Sequence, residues 1–305
     1  MSSTLKNIAI TGASGSLGSV IFKKLLDSGK FNIRVLKRST SSGTFPAGVE
    51  VIDVDFESPA SLEAALAGQD AVINAMSVYG DNRPHMALVR AAVAAGVKRI
   101  LPSEFGANLD APLTRSLPIF GGKVEVEEYL KQAVAENAAI SYTLVFNAAF
   151  LDWGLEHDVL IAGSMQAKPV IINGGDLLFS ATTLASVGAA VVGVLSHPEE
   201  TKNRSVRVHD IVLTQNKLLA MAREVAPQKD WQIVHADLDA MVKVAGERLA
   251  QGIVDMESAG PFLAKATLDP EYGCVYGESE LDNELLGVKG VTEGEVKEMV
   301  KKYLA

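Results

Sequence analysis

Apolar residues fall along the first half of the chain in short β-rich runs, at 7–11, 32–37, 49–53, 71–75, 99–102 and 141–146. Between most of these runs, apolar positions recur at helical spacing, at 16–28, 59–67, 84–95 and 123–136. Strand-like runs that alternate with helical patterns predict parallel strands joined by helical crossovers. The expected fold class is α/β: a doubly wound parallel sheet of the Rossmann type with a smaller C-terminal lobe. Residues 39–48, STSSGTFPAG, are too few and too rich in Gly, Pro and Ser for a helix, so an irregular crossover is expected there.

Past residue 146 the pattern loosens. PVIINGG reads as a short strand and turn, 182–195 as a long buried helix, 205–209 as a strand and 214–225 as a helix. From 230 onward helical patterns dominate, with breaks expected at Gly260-Pro261 and Gly287. No linker-like segment separates the two halves.

The composition narrows the class. At 305 residues with 48% hydrophobic and 21% charged positions, the chain can bury a sizeable core. Net charge is −9 and no long basic cluster occurs, so nucleic acid is not an expected partner. The longest apolar stretch, LASVGAAVVGVLSHP, is interrupted by Ser and Gly and closed by His-Pro; it reads as a buried helix, and no membrane partner is expected. The lone Cys274 excludes an internal disulfide and fits a reducing compartment. MSSTLKNIAITG enters a strand almost at once, so no signal peptide is expected and the cytoplasm is the expected location.

The strongest local signal is IAITGASGSLGSVIFKKLLDSG. A strand runs into Gly12-x-x-Gly15-x-x-Gly18, and the third glycine already lies within a helix that ends at Gly29. Gly12 permits a tight turn, Gly15 lets backbone approach a pyrophosphate, and Gly18 allows close helix–strand packing. The amides around Ser14 and Ser16, at the helix N-terminus, would then meet the anion. The next strand ends in Lys37 and Arg38 where an NAD site usually carries an acidic residue. Arg38 can pair with a 2′-phosphate and Lys37 can add charge, so NADPH/NADP+ is the expected cofactor. The plainer reading is that both are ordinary surface cations. No metal site is expected.

In FGGKVEVEEYLKQAVAEN, Val126, Leu130, Ala133 and Val134 define an inward helical stripe, and Lys123 lies in line with it. A lysine there costs desolvation unless it has a partner, a task or a route to water. Burial would lower its pKa towards acid/base work; alternatively its ammonium bends outward to solvent.

Ligands of such sheets bind outside the carboxyl ends of the strands, where strand order reverses. The strand ends there carry the Gly12 loop, Asn74 in NAMS, Ser103, Glu104 and Phe105 in LPSEFG, and Asn147, Phe150 and Trp153 in VFNAAFLDWG, with His157 just beyond. Polar strand ends followed by aromatics describe a crevice for a nicotinamide and a largely apolar organic substrate.

Together the glycine loop, the basic end of the second strand, LPSEFG, and a lysine seventeen residues past Gly106 resemble the isoflavone reductase-like branch of the NmrA-like, atypical short-chain dehydrogenases. The segment FNAAFLDWGLEHD is closer to fungal relatives than to the plant signature. The resemblance implies that Gly12, Gly15 and Gly18 hold the pyrophosphate and Arg38 the 2′-phosphate. It implies that Lys123 is the general acid/base and contacts the nicotinamide ribose, and that Asn147 and Phe150 line nicotinamide and substrate. Ser103 and Asn74 are further candidate cofactor contacts; Phe105, Trp153 and His157 are candidate substrate contacts. No tyrosine stands four residues before Lys123, where Ile119 sits, and Tyr79, Tyr129 and Tyr142 are not spaced to replace one. Residues 1–150 are then an NADP-binding domain, with elements of about 178–212 returning to it, and 151–305 mainly a substrate lobe. The expected activity is an NADPH-dependent reductase passing hydride to a small aromatic or conjugated molecule. The same wider group contains non-catalytic NADP(H) sensors, which remain the alternative.

Overall fold

The structure, a computed structural model, describes residues 4–77 and 81–304; Tyr79 lies outside them. The strands run β1 (Asn7–Thr11), β2 (Asn32–Lys37), β3 (Glu50–Asp53), β4 (Ala71–Asn74), β5 (Arg99–Leu101) and β6 (Ser141–Phe146). They continue with β7 (Ala149–Phe150), β8 (Val170–Ile172), β9 (Phe179–Thr182), β10 (Arg204–Arg207), β11 (Ile211–Leu213) and β12 (Val234–Ala236). The helices of the first half are α1 (Ser16–Ser28), α2 (Pro59–Leu66), α3 (Arg83–Ala94), α4 (Pro112–Arg115) and α5 (Gly121–Glu136). The later ones are α6 (Leu151–Glu156), α7 (Leu184–Ser196), α8 (Gln215–Val225), α9 (Leu238–Ala250), α10 (Met256–Leu268), α11 (Asn283–Leu286) and α12 (Glu293–Leu304).

Seven strands pair in the order β10-β6-β5-β4-β1-β2-β3, and every pairing among them is parallel. Strand order therefore reverses between β1 and β4. Alternate residues of each strand serve opposite faces, as a period of two requires. Ala9, Leu36, Val72 and Ile100 join one core with Leu62, Leu88, Val126 and Leu130 of α2, α3 and α5. Ile8, Val35, Ile73 and Leu101 join the other with Ile21, Leu25, Val187 and Val191 of α1 and α7. Strands buried on both faces read as continuous apolar runs, which is why this half is legible.

The chain between β2 and β3 is irregular, as expected, and its Phe45 stacks edge-on against Phe22 of α1 with centroids 5.4 Å apart. α7 and β10 return to the main sheet. β9 and β11 do not: they form a three-stranded sheet with β7, and β8 pairs with β12. A third core, around Phe179, Leu218, Val296 and Val300, fills this lobe.

Two expectations for the second half are corrected. Thr182 belongs to β9 rather than to the following helix, which starts at Leu184 with the Thr183 side chain accepting from the Ser186 amide. Gly260-Pro261 does not break the chain, because α10 runs through both. Pro261 removes one amide donor close to the helix start, but a reciprocal Asp255–Ser258 capping box fixes that start. Buried Phe262 and Ala266 then anchor the helix beyond the proline. Gly287 does end a helix, in the left-handed region at φ 71°.

Candidate active site

At the end of β1, Gly12 sits at φ +71°, and a Cβ there would lie 2.4 Å from the Ala75 carbonyl oxygen. A Cβ on Gly18 would lie 2.0 Å from the Gly12 carbonyl oxygen, so only glycine lets α1 close on the loop. Gly15 occupies the N-cap of α1 with no side-chain cap, and its amide donates to the Gly12 carbonyl at 2.9 Å. Ser14, Gly15 and Ser16 are exposed. The first amides of α1 are thus left free of side-chain partners, at the positive end of a thirteen-residue helix. This cradle suits a pyrophosphate.

At the end of β2 the two cations part company. Lys37 Nζ pairs with Asp53 Oδ1 at 2.6 Å, within the sheet edge, and is not presented beside Arg38. Arg38 is exposed, and its guanidinium makes no ion pair or hydrogen bond among the described residues. Its charge is therefore available to a ligand.

The end of β4 is braced from behind. Asn74, 1% exposed, accepts from Thr11 Oγ1 and from the Met76 amide through Oδ1, and its Nδ2 lies 3.0 Å from His85 Nδ1. His85 Nε2 lies 2.9 Å from the Ser77 carbonyl oxygen. An amide donor on Nδ1 and a carbonyl on Nε2 assign the neutral Nε2–H tautomer, and burial pushes the His85 pKa down in keeping with it. Both ends of the Asn74 amide are committed internally, and the residue thereby braces the β4 end.

The LPSEFG turn splits its side chains. Ser103 Oγ donates to the Met76 carbonyl at 2.8 Å and ties the β5 end to the β4 end. Phe105 turns into the core with Ile10, Leu101 and Val145 and packs there. Glu104 is buried and lies beside Lys123, with Oε2 3.8 Å from Nζ. Lys123, the third residue of α5, does not bend out to solvent: it is 8% exposed, with its Nζ 6.0 Å from the Phe120 ring centroid. Burial pushes the Lys123 pKa down, against the opposing pull of Glu104. Burial pushes the Glu104 carboxyl up to about 7, with Lys123 opposing.

The end of β6 closes the set. The Gly106 carbonyl accepts from the Asn147 and Ala148 amides at 3.1 and 2.9 Å, which joins the β5 and β6 ends. Ala148 is held at φ 52°, a strained conformation for a residue with a Cβ. Asn147 is fully buried, yet its Oδ1 has no hydrogen-bond partner. A buried orphan acceptor is costly and is a common mark of a ligand position. Phe150 and Trp153 are half-buried. His157 is exposed at the end of α6, stacked on Trp153 with centroids 4.4 Å apart, which makes it a helix-end residue in this conformation.

The burial of Glu104, the fixed tautomer of His85, and the packing of Phe120 against Lys123 were not read from the sequence. The pair Gly121-Gly122 just before Lys123 was an available signal, since a Cβ on Gly122 would lie 2.9 Å from Asn82 Cγ.

Fold and strand ends together define a Rossmann-type α/β protein with a glycine cradle at its switch point. The model of the NmrA-like family matches residues 4–273, and the chain belongs to that family. It is 32% identical over 295 residues to oxidoreductase poxI of Penicillium oxalicum, covering 93% of this chain and 90% of that one. It is 27% identical over 288 residues to quinone oxidoreductase 2 of Escherichia coli, covering 92% and 93% of the two chains. Among solved structures, AtPrR2 with NADP+ and (+)pinoresinol superposes with a TM-score of 0.77 at 20% identity, over 99% of this chain and 100% of that one. An isoflavone reductase structure gives a TM-score of 0.75 at 20% identity, over 98% and 100%.

Proposed function

We propose that the chain is an NADPH-dependent oxidoreductase that reduces a small aromatic or conjugated organic acceptor, with Lys123 as general acid. The observation that carries this reading is a buried lysine paired with a buried carboxylate at the β5 strand end, in a sheet whose β1 end carries a glycine cradle with no room for a side chain at Gly12 or Gly18. The relatives named as oxidoreductases support the reaction class. The fold neighbours solved with NADP+ or NADPH support the choice of nucleotide.

The residues fit that nucleotide. Gly12, Gly15 and the α1 amides offer the pyrophosphate site, Arg38 the 2′-phosphate contact, and the orphaned Asn147 Oδ1 an acceptor for a ligand donor. NADPH, when bound, supplies the hydride. Lys123 then gives a proton to the acceptor oxygen: its Nζ–H bond breaks, the electron pair stays on nitrogen, and an O–H bond forms. Half-buried Phe150 and Trp153 offer apolar surface for a flat substrate.

The test is incubation of the purified protein with NADPH and a panel of quinones, enones and aryl ketones, following loss of reduced-nicotinamide absorbance. Lys123-dependent oxidation is the expected result. Tight NADPH binding with no turnover on any acceptor would favour the sensor alternative.

Arg38→Ala is expected to weaken NADPH binding about tenfold or more, the scale of one charge-assisted phosphate contact, and to leave NADH binding unchanged. Fluorescence titration with each reduced nucleotide checks this. An equal loss for both would place Arg38 outside the 2′-phosphate site.

A further inference from the structure

We propose that Glu104 is a positioning residue for the proton donor: its carboxylate keeps Lys123 in the ammonium form without taking the proton. This rests on the reading of Lys123 as general acid.

Geometry carries the inference. Glu104 is 1% exposed and Lys123 8%, so water screens neither charge. Their closest approach, 3.8 Å, is near enough for strong attraction and too far for a hydrogen bond. Glu104 Oε2 has no hydrogen-bond donor among the described residues. A buried carboxylate oxygen left without a donor is unfavourable, and a purely architectural carboxylate would be expected to have one. At the usual contact distance the Lys123 proton would be shared with Oε2 and retained. At 3.8 Å the negative charge stabilises the ammonium while its N–H groups stay free for a substrate oxygen.

The surrounding charges leave this duty to Glu104. From α3, His85 is buried and neutral, with both ring nitrogens engaged. On α5 itself, buried Glu127 is neutralised by Arg115 of α4 at 2.5 Å and by Lys131 at 2.6 Å. Asp110, in the segment after β5, pairs with Arg207 of β10 at 2.6 Å. Among the described residues, Glu104 is the group that raises the proton affinity of Lys123 against the lowering effect of burial.

The experiment reads Lys123 directly, by NMR of isotope-labelled lysine in the nucleotide-free protein. In the wild type the Lys123 signal should show an inflection near pH 7 as Glu104 titrates, its carboxyl being raised to about 7 by burial. Glu104→Gln, nearly isosteric, should remove that inflection and lower the Lys123 midpoint by about one pH unit or more. Glu104→Asp, which retains the charge, should restore most of the shift. In turnover, the alkaline limb of kcat/KM should move the same way in Glu104→Gln, with the NADPH dissociation constant unchanged. A wild-type signal without the inflection, or a Glu104→Gln protein whose Lys123 titrates as before, overturns the inference. Normal turnover in Lys123→Ala would instead overturn the role of Lys123 and leave the measured Glu104–Lys123 coupling standing.

Discussion

Replacing Lys123 with alanine should reduce kcat by about 10²–10⁴-fold, the range for loss of a positioned general acid, while NADPH binding is nearly unchanged. The split follows from placement. The phosphate contacts lie at the β1 and β2 ends, on Gly12, Gly15 and Arg38, whereas Lys123 stands beyond β5 at the start of α5. Steady-state kinetics with a reducible quinone or enone, together with fluorescence titration of NADPH, separate the two effects. Normal turnover would remove Lys123 from the chemistry.

The same variant has a consequence for stability whose sign is fixed by Glu104. Its carboxyl is already raised from 4.5 to about 7 in the fold, and losing Lys123 removes the largest opposing influence. A carboxyl raised in the folded state binds more protons there than in the unfolded chain. Its contribution is fully present below 4.5 and is lost as pH rises through about 7 and beyond. Lys123→Ala should therefore lose more thermal stability, relative to the wild type, at pH 8 than at pH 5. Adding Glu104→Gln to it should flatten that difference. A loss of equal size at both pH values would mean that Glu104 does not carry charge next to an emptied site.

These dependences mark the limit of what the chain discloses before folding. The main sheet was legible because its central strands, β1, β4, β5 and β6, are buried on both faces, and the glycine spacing is legible because only glycine survives a Cβ approach of 2.0–2.4 Å. Lys123 was visible as a cation in an apolar stripe, but the stripe could not say whether its ammonium stayed inside. That depends on Glu104, which is nineteen residues earlier and follows a strand of three residues. The surroundings of Asn74 and Phe105 were not legible for one reason: a strand-end position does not say which neighbours its side chain finds. Asn74 found His85 and Thr11, and Phe105 found the α1–α7 core. The lobe strands were obscured differently. β9 reads Phe-Ser-Ala-Thr, and its polar residues are buried through bonds to distant groups: Ser180 to His209, and Thr182 to the Asn147 carbonyl. Periodicity cannot register such a strand, because hydrogen bonding rather than apolarity makes its burial tolerable.

The largest stability effect is expected far from the chemistry, at Arg99. This arginine opens β5, at the opposite end of the strands from the site, and is 2% exposed. Its guanidinium donates to Ser141 Oγ at 2.9 Å, Thr143 Oγ1 at 3.1 Å and Thr201 Oγ1 at 3.0 Å, and also to the Pro198 carbonyl. It thereby fastens β5 and β6 to the loop that leads from α7 into β10. Burial pushes its pKa down to about 10, which still leaves the group charged at neutral pH. Arg99→Ala opens a cavity and strands the Pro198 carbonyl without a donor. The three hydroxyls keep acceptors of their own, in Lys98, Thr201 and His197 carbonyls, so their loss is partial. A cost of about 3–5 kcal/mol is expected, from the cavity together with the unsatisfied acceptor. Arg99→Met should cost less, about 1–2 kcal/mol, because it fills most of the volume and removes the desolvation of a buried charge. Urea unfolding of both variants tests the order, with turnover at low temperature unchanged in each. A methionine variant as unstable as the alanine one would mean that the hydrogen bonds, and not the filled space, hold β10 to the sheet.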